Sequence, residues 1–236
     1  MKRHLFILVW LIAFGLGAGA TNYVVCVGIS NYPGTSDDLR VSANDANTMA
    51  KLYRANGGCE VVKLTDSNAT RAKVISQLNV LFAKATSADR IVLFFSGHGT
   101  PGYFLCCDGL LSYKQIVEVM RRSKASCKMV IADACFSGKM RSSKQRGKKY
   151  SSKDVMFFLS SRSNEPSKES SFSNSVFTIY LERGLRGGAD KNKDRVITAR
   201  ELYEFVHKGV IEATDNSQHP VMWGNFNDNM VILKWR

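Results

Sequence analysis

The sequence predicts an α/β fold: a mostly parallel central sheet of about six strands with helices on both faces. Three observations carry that expectation. Short apolar runs alternate with segments of helical period, the pattern of successive β–α–β units. Two of those runs, residues 91–95 and 129–132, are almost continuously apolar, as strands covered on both faces are. Both runs stop abruptly in Gly-containing polar sequence, Ser96-Gly97-His98-Gly99 after the first and Asp133-Ala134-Cys135-Phe136-Ser137-Gly138 after the second.

Taken in order, residues 23–29 form a first buried strand. A helix over 42–56 places Ala43, Ala46, Met49, Ala50 and Tyr53 on one face, and Gly57-Gly58 stops it. Residues 60–64 form a short second strand. Thr70 is the N-cap of a helix that buries Val74, Ile75, Leu78, Leu81 and Phe82. The third strand is 91–95. Residues 103–107 form a small hairpin arm before an Asp108-Gly109 turn. Ser112 caps a helix carrying Ile116, Val119 and Met120. Strands at 129–132 and 155–159 follow, then a Ser-rich loop over 160–175, helices at 176–185 and 199–211, and a last strand at 230–233. No repeat and no second domain is visible.

The first twenty residues stand apart. Lys2, Arg3 and His4 open a basic start, residues 5–16 are apolar, and Ala18-Gly19-Ala20 supplies a small-x-small cleavage pattern. This is the form of a secretory signal peptide, and the apolar run is short for a membrane span. The expected organisation is a signal peptide over 1–20 and one catalytic-sized domain over 21–236. The product is exported, to the periplasm or outside the cell, with no stable membrane insertion after signal removal.

The formal charge is +13, and it falls to +11 without Lys2 and Arg3. Residues 139–153 hold seven Lys or Arg and no acid. With no nucleic-acid motif in the chain, that run reads as a solvated loop, and nucleic acid is not an expected partner. The six cysteines, Cys26, Cys59, Cys106, Cys107, Cys127 and Cys135, match no zinc spacing. Cys26 and Cys127 lie in or beside apolar runs and read as core residues.

If the two runs are neighbouring parallel strands, His98 and Cys135 emerge at one sheet edge, where ligands of such sheets bind. A thiol beside an imidazole can be held as the nucleophilic thiolate. Ser-Gly-His-Gly and Asp-x-Cys-x-Ser-Gly, each closing a strand, resemble the caspase-like peptidases of the caspase-hemoglobinase fold. The His-to-Cys separation is shorter than the roughly fifty residues of animal caspases, and the cysteine context is closer to metacaspases and their bacterial relatives. Gly28-Ile29-Ser30-Asn31-Tyr32, Leu39-Arg40 and Asn44-Asp45-Ala46 are similar to the segment after the first metacaspase strand. Gln218-His219-Pro220-Val221 and Trp223-Gly224-Asn225 resemble the end of many bacterial members.

The resemblance implies a cysteine endopeptidase in which Cys135 is the nucleophile and His98 the acid and base, with an oxyanion hole from the backbone N–H groups of Gly99 and Cys135. It implies a primary pocket lined by Asp45 and Asp133, hence substrates with Arg or Lys at the cleavage site; for Asp45 a plain role at a helix N-terminus is the alternative. Self-cleavage in 139–153, at Arg146 or Lys149, follows from that specificity. His207 and His219 are weaker bases on setting. Phe136 departs from the histidine common after the metacaspase cysteine, and an inactive scaffold that binds basic peptides is the rival reading. No cofactor is required and the expected state is a monomer. Calcium is the candidate ion for Asp190, Asn192, Asp194 and Glu201, which stand at EF-hand positions 1, 3, 5 and 12, although position 6 is Arg195 rather than Gly. The alternative for that segment is a turn capping the helix that begins at Ala199.

Overall fold

The computed structural model describes residues 19–34, 36–134, 155–162, 173–224 and 226–235. β1 (Asn22–Gly28) is followed by α1 (Ser42–Asn56), β2 (Cys59–Thr65), α2 (Arg71–Phe82) and β3 (Arg90–Ser96). An antiparallel arm, β4 (Gly99–Thr100), β5 (Tyr103–Cys106) and β6 (Gly109–Ser112), leads into α3 (Tyr113–Arg122) and β7 (Cys127–Asp133). β8 (Met156–Leu159), α4 (Val176–Arg183), β9 (Val196–Thr198), α5 (Ala199–Ala213), β10 (Val221–Gly224) and β11 (Val231–Lys234) complete the described chain.

The central sheet has six strands in the order β10-β8-β7-β3-β1-β2. Five run parallel and β10 lies antiparallel on β8. Alternate side chains of the parallel strands feed two cores, as a period of two requires. Val25, Val27, Leu93, Phe95, Val130 and Phe157 meet α2 and α3 on one face. Val24, Cys26, Phe94, Ile131 and Phe158 meet α1, α4 and α5 on the other. The expectation of an α/β fold with a mostly parallel six-stranded sheet and helices on both faces therefore holds.

Three details differ from the sequence reading. The last strand, β11, pairs with β9 in a separate two-stranded sheet, and the sixth strand of the main sheet is β10. Trp223 of β10 stacks on Phe157 with ring centroids 4.2 Å apart, which seats the edge strand. Second, the helix expected over 176–185 ends at Arg183 and runs into a π-helical turn at Gly184–Gly188. A Cβ on Gly184 would lie 3.1 Å from both Leu202 and Phe205, so the missing side chain lets that turn rest on α5. Third, the hairpin arm gains β4, and its turn is Cys107-Asp108 between β5 and β6.

Helix starts follow the expected chemistry. Thr70 accepts the Lys73 N–H, and Ser112 with Gln115 forms a capping box at α3. α1 begins without a cap from its own N-cap residue, Val41; instead Ser30, from the loop after β1, accepts the Ala43 N–H at 2.9 Å. That bond ties the start of α1 to the carboxyl end of β1.

Candidate active site

The strand register brings Gly28, Ser96 and Asp133 side by side at the carboxyl ends of β1, β3 and β7. The chain passes from β1 to β2 on one side and on to β3 on the other, so the loops after β1 and β3 diverge here. Such a switch point is where open parallel sheets bind ligands. Beyond β3, Gly97 donates its N–H to the Asp133 carbonyl at 3.1 Å, keeping the loop zipped to β7 for one more residue. A Cβ on Gly97 would sit 2.7 Å from Tyr32 Oη and 3.2 Å from the Phe95 ring, so only glycine admits this close approach.

His98 is half-buried and is held from several directions. Its Nε2 lies 2.7 Å from the Asp37 carbonyl oxygen. A carbonyl only accepts, so Nε2 carries the proton and Nδ1 is the basic nitrogen of the neutral ring. The backbone N–H of His98 donates to the Tyr32 hydroxyl at 2.9 Å, and its carbonyl accepts the Leu105 N–H at 2.9 Å. The Leu105–His98 bond makes Gly99 and Phe104 a non-hydrogen-bonded antiparallel pair. The Gly99 N–H is therefore directed away from β5, at the open side of the arm. Cys135, the other half of the expected dyad and the second expected oxyanion donor, lies outside the described residues, two positions beyond Asp133.

The two expected pocket acids do come together. Asp45 is fully buried and Asp133 is 4% exposed. Asp45 Oδ1 accepts from the Asn174 side-chain amide at 2.8 Å and from the Ser175 N–H at 3.0 Å, and its Oδ2 accepts the Ser96 hydroxyl at 2.8 Å. Asp133 Oδ2 accepts the Ser175 hydroxyl and, at 3.2 Å, that of Thr178. Asp45 sits in the first turn of α1, and Ser175 is the N-cap of α4. Two helix N-termini thus face the carboxylates, a favourable place for negative charge. Burial nevertheless dominates, and with the neighbouring charge of Asp133 it pushes the Asp45 carboxyl up to about 7.

The segment read as a calcium loop is arranged around its own backbone. Asp190 accepts the N–H groups of Asp194 and Arg195, Asn192 accepts that of Asp194 at 3.0 Å, and Asp194 accepts that of Val196 at 2.8 Å. Glu201 accepts the Thr198 N–H and hydroxyl, and Thr198 returns the bond to the Glu201 N–H, a capping box for α5. Among the described residues no group of three or more His, Cys, Asp or Glu converges as a metal-holding cluster.

His207 packs beside Tyr203 on α5, and His219 bonds the Asn216 side chain at 3.0 Å. Of the described histidines, His98 is the one that leaves a parallel strand at its carboxyl end. Of the five described cysteines, Cys26, Cys106 and Cys127 are buried, and Cys59 and Cys107 are partly exposed. Residues 1–18 of the expected signal peptide and the basic loop 139–153 lie outside the described residues. No described helix is long and apolar enough to cross a membrane.

Sequence reasoning did not single out the Asp37 carbonyl, the Tyr32 hydroxyl, Ser96, or the Asn174-Ser175 pair. Of these, Tyr32 and Ser96 stood within motifs, but as neighbours of the residues that carried the reading. A backbone carbonyl leaves no mark in a sequence, and Asn174 and Ser175 lie in a stretch whose polar character read as loop.

Comparison with known proteins supplies the context. The family model described as Caspase domain matches residues 21–231. Metacaspase-8 of Arabidopsis thaliana is 34% identical over 137 residues, covering 48% of this chain and 36% of that protein. Metacaspase-4 of the same plant is 32% identical over 142 residues, covering 50% and 34%. The matched stretch thus spans about a third of those relatives. The crystal structure of protein GSU0716 from Geobacter sulfurreducens aligns with a TM-score of 0.68 at 20% identity, covering 88% of this chain and 95% of that one. That likeness bears on the fold.

Proposed function

The chain belongs to the caspase-domain family, and from that premise we propose that it is an exported cysteine endopeptidase cleaving after Arg or Lys. The observation that supports this reading most is the fixing of His98 Nε2 on the Asp37 carbonyl at 2.7 Å. It leaves Nδ1 as the proton-accepting atom, at the sheet edge from which the chain runs on to Cys135.

In this reading the Cys135 thiolate attacks the scissile carbonyl carbon, and the carbonyl π electrons move onto oxygen. The N–H groups of Gly99 and Cys135 receive that oxyanion; losing one such donor typically costs about 3–4 kcal/mol of barrier. As the C–N bond breaks, the His98 imidazolium gives its Nδ1 proton to the departing amine. The regenerated Nδ1 then takes a proton from the water that attacks the thioester, releasing the acid and Cys135. Nε2–H stays on the Asp37 carbonyl throughout. No step calls for a metal.

Specificity rests on Asp45 and Asp133. A guanidinium or ammonium entering between two carboxylates is bound by charge-assisted hydrogen bonds, and an acidic side chain is repelled. Both acids are covered by Asn174 and Ser175, so a substrate side chain takes over bonds that this helix start now makes. The basic loop over 139–153 offers such side chains within the chain itself, and self-processing there belongs to the same reading.

The deciding experiment uses protein lacking residues 1–20, and its Cys135→Ala variant, on matched fluorogenic peptides ending in Arg, Lys or Asp. Each is run with calcium and with chelator. Turnover after Arg and Lys, absent in the variant and indifferent to chelator, is expected. Turnover confined to Asp peptides would keep the peptidase and remove the acidic pocket. Tight binding of basic peptides with no turnover would favour the inactive scaffold.

A further inference from the structure

We propose that Tyr32 is a positioning residue for His98, holding the imidazole in register through the backbone; the inference rests on the peptidase reading above. Tyr32 lies in the loop after β1, and its ring is 4.9 Å from that of His98. Its hydroxyl accepts the His98 N–H at 2.9 Å and donates to the Leu105 carbonyl at 3.3 Å. The directions are unambiguous, since an N–H only donates and a carbonyl only accepts. One hydroxyl therefore joins the loop after β1, the loop after β3 and the β5 strand of the arm.

The same loop reaches His98 twice. The Tyr32 N–H donates to Asp38 Oδ1 at 2.9 Å, folding the loop back on itself. That fold sets the neighbouring Asp37 carbonyl on Nε2. Asp37 fixes the ring's tautomer and rotation, and Tyr32 fixes the backbone from which the ring hangs. Gly97 belongs to the device, because any side chain there would collide with the Tyr32 hydroxyl. Tyr32 is 7% exposed, and its burial holds the phenol protonated at any working pH.

Without the hydroxyl, the His98 N–H and the Leu105 carbonyl both lose a partner. The imidazole remains, but its placement against the nucleophile loosens. A displacement of about 1 Å in a catalytic group can cost on the order of a hundredfold in rate. Substrate contacts made by Asp45 and Asp133 are untouched, so the loss falls on kcat rather than KM.

The test is Tyr32→Phe, with Tyr113→Phe as its control. The Tyr113 hydroxyl, at the start of α3, makes a comparable bond to the Thr100 carbonyl of β4 at 3.2 Å and does not bond His98. Expected for Tyr32→Phe is a roughly 10- to 100-fold fall in kcat with KM within about threefold. The pH midpoint of Cys135 alkylation, followed by mass spectrometry of its peptide, should move toward the ordinary thiol value of about 8.5. Tyr113→Phe should lower the melting temperature comparably and leave both readouts in place. Wild-type kcat and alkylation midpoint in Tyr32→Phe, or equal losses in both variants, would overturn the inference. If the wild type cleaves no peptide, the peptidase reading fails; a shifted alkylation midpoint in Tyr32→Phe alone would then still uphold the positioning of His98, and an unshifted one would end it.

Discussion

Asp45 and Asp133 converge on a single residue: Asp45 accepts the Ser175 N–H at 3.0 Å and Asp133 accepts the Ser175 hydroxyl. The donors to Asp45, the Ser96 hydroxyl, the Asn174 amide and the Ser175 N–H, are all neutral, so two carboxylates share a buried space where both ionise only at a cost.

That cost has a sign in pH. An aspartate in the unfolded chain titrates near 3.8, and the folded Asp45 carboxyl is pushed up to about 7 by burial and then by Asp133. Between about pH 4 and 7 the folded state therefore holds a proton the unfolded state has released, and this pair's contribution to stability falls as pH rises. Below and above that window the contribution is flat. Asp45→Asn isolates the effect, since the amide oxygen can keep the Asn174 and Ser175 bonds while its NH2 donates to Ser96. The difference in melting temperature between Asp45→Asn and wild type should grow in the variant's favour from pH 4 to 7. A difference independent of pH would show that the pair does not titrate in this range.

Gly28 fixes where α1, and hence Asp45, sits on the sheet. A Cβ there would lie 2.2 Å from the Ser42 carbonyl oxygen and 2.6 Å from the Ala46 Cβ. Neither atom is the free end of a flexible chain. Gly28→Ala should destabilise by about 1–3 kcal/mol, the usual range for overpacking, read as a lower urea midpoint at unchanged slope. If the Asp45 pocket follows α1, the KM for Arg peptides should rise with it. A variant with the wild-type midpoint would show that the helix start yields freely.

The thiols should separate into two classes. Burial pushes Cys26 and Cys106 up to about 12 and Cys127 up to about 11. The thiolate is the reacting form, so at pH 8 these three react at most about a thousandth as fast as a fully ionised thiol. Cys59 and Cys107 are partly exposed, and although burial and then the Asp108 carboxylate also push Cys107 up, its sulfur remains within reach of solvent. In folded Cys135→Ala protein, iodoacetamide should label Cys59 and Cys107 within minutes and the other three only after unfolding. Rapid labelling of Cys106 in the native state would mean that the β5–β6 arm opens.

What the sequence made legible was whatever side-chain type and period control. The apolar runs at 91–95 and 129–132 could hardly be other than covered strands, and Ser-Gly-His-Gly could be placed at the end of one. The bounds of α1 were readable because Gly57-Gly58 stops it. Partner choice among short strands was not: Val221-Met222-Trp223 and Val231-Ile232-Leu233 have similar character, and packing of Trp223 on Phe157 decides which joins the main sheet. The Asp45–Asp133 meeting came from resemblance, because nothing local links a helix start to a strand end 88 positions away. The Asp37 carbonyl was beyond reach for the reason that every residue has one.

The Glu201 carboxylate fits two roles. Bound to Thr198 as a capping box it stabilises the start of α5; as the last ligand of a calcium loop it would stabilise through the ion. Thr198→Ala removes the cap, which should cost about 1 kcal/mol and lower the melting temperature by about 2–4 °C for a domain of this size. The size of that drop should be the same in EGTA and in millimolar calcium if the cap is the working role. Asp190→Ala then discriminates further. It removes the acceptor for the Asp194 and Arg195 N–H groups, so it should destabilise equally with and without calcium. A wild-type melting temperature that climbs with calcium, and stops climbing in Asp190→Ala, would instead assign the loop to the ion.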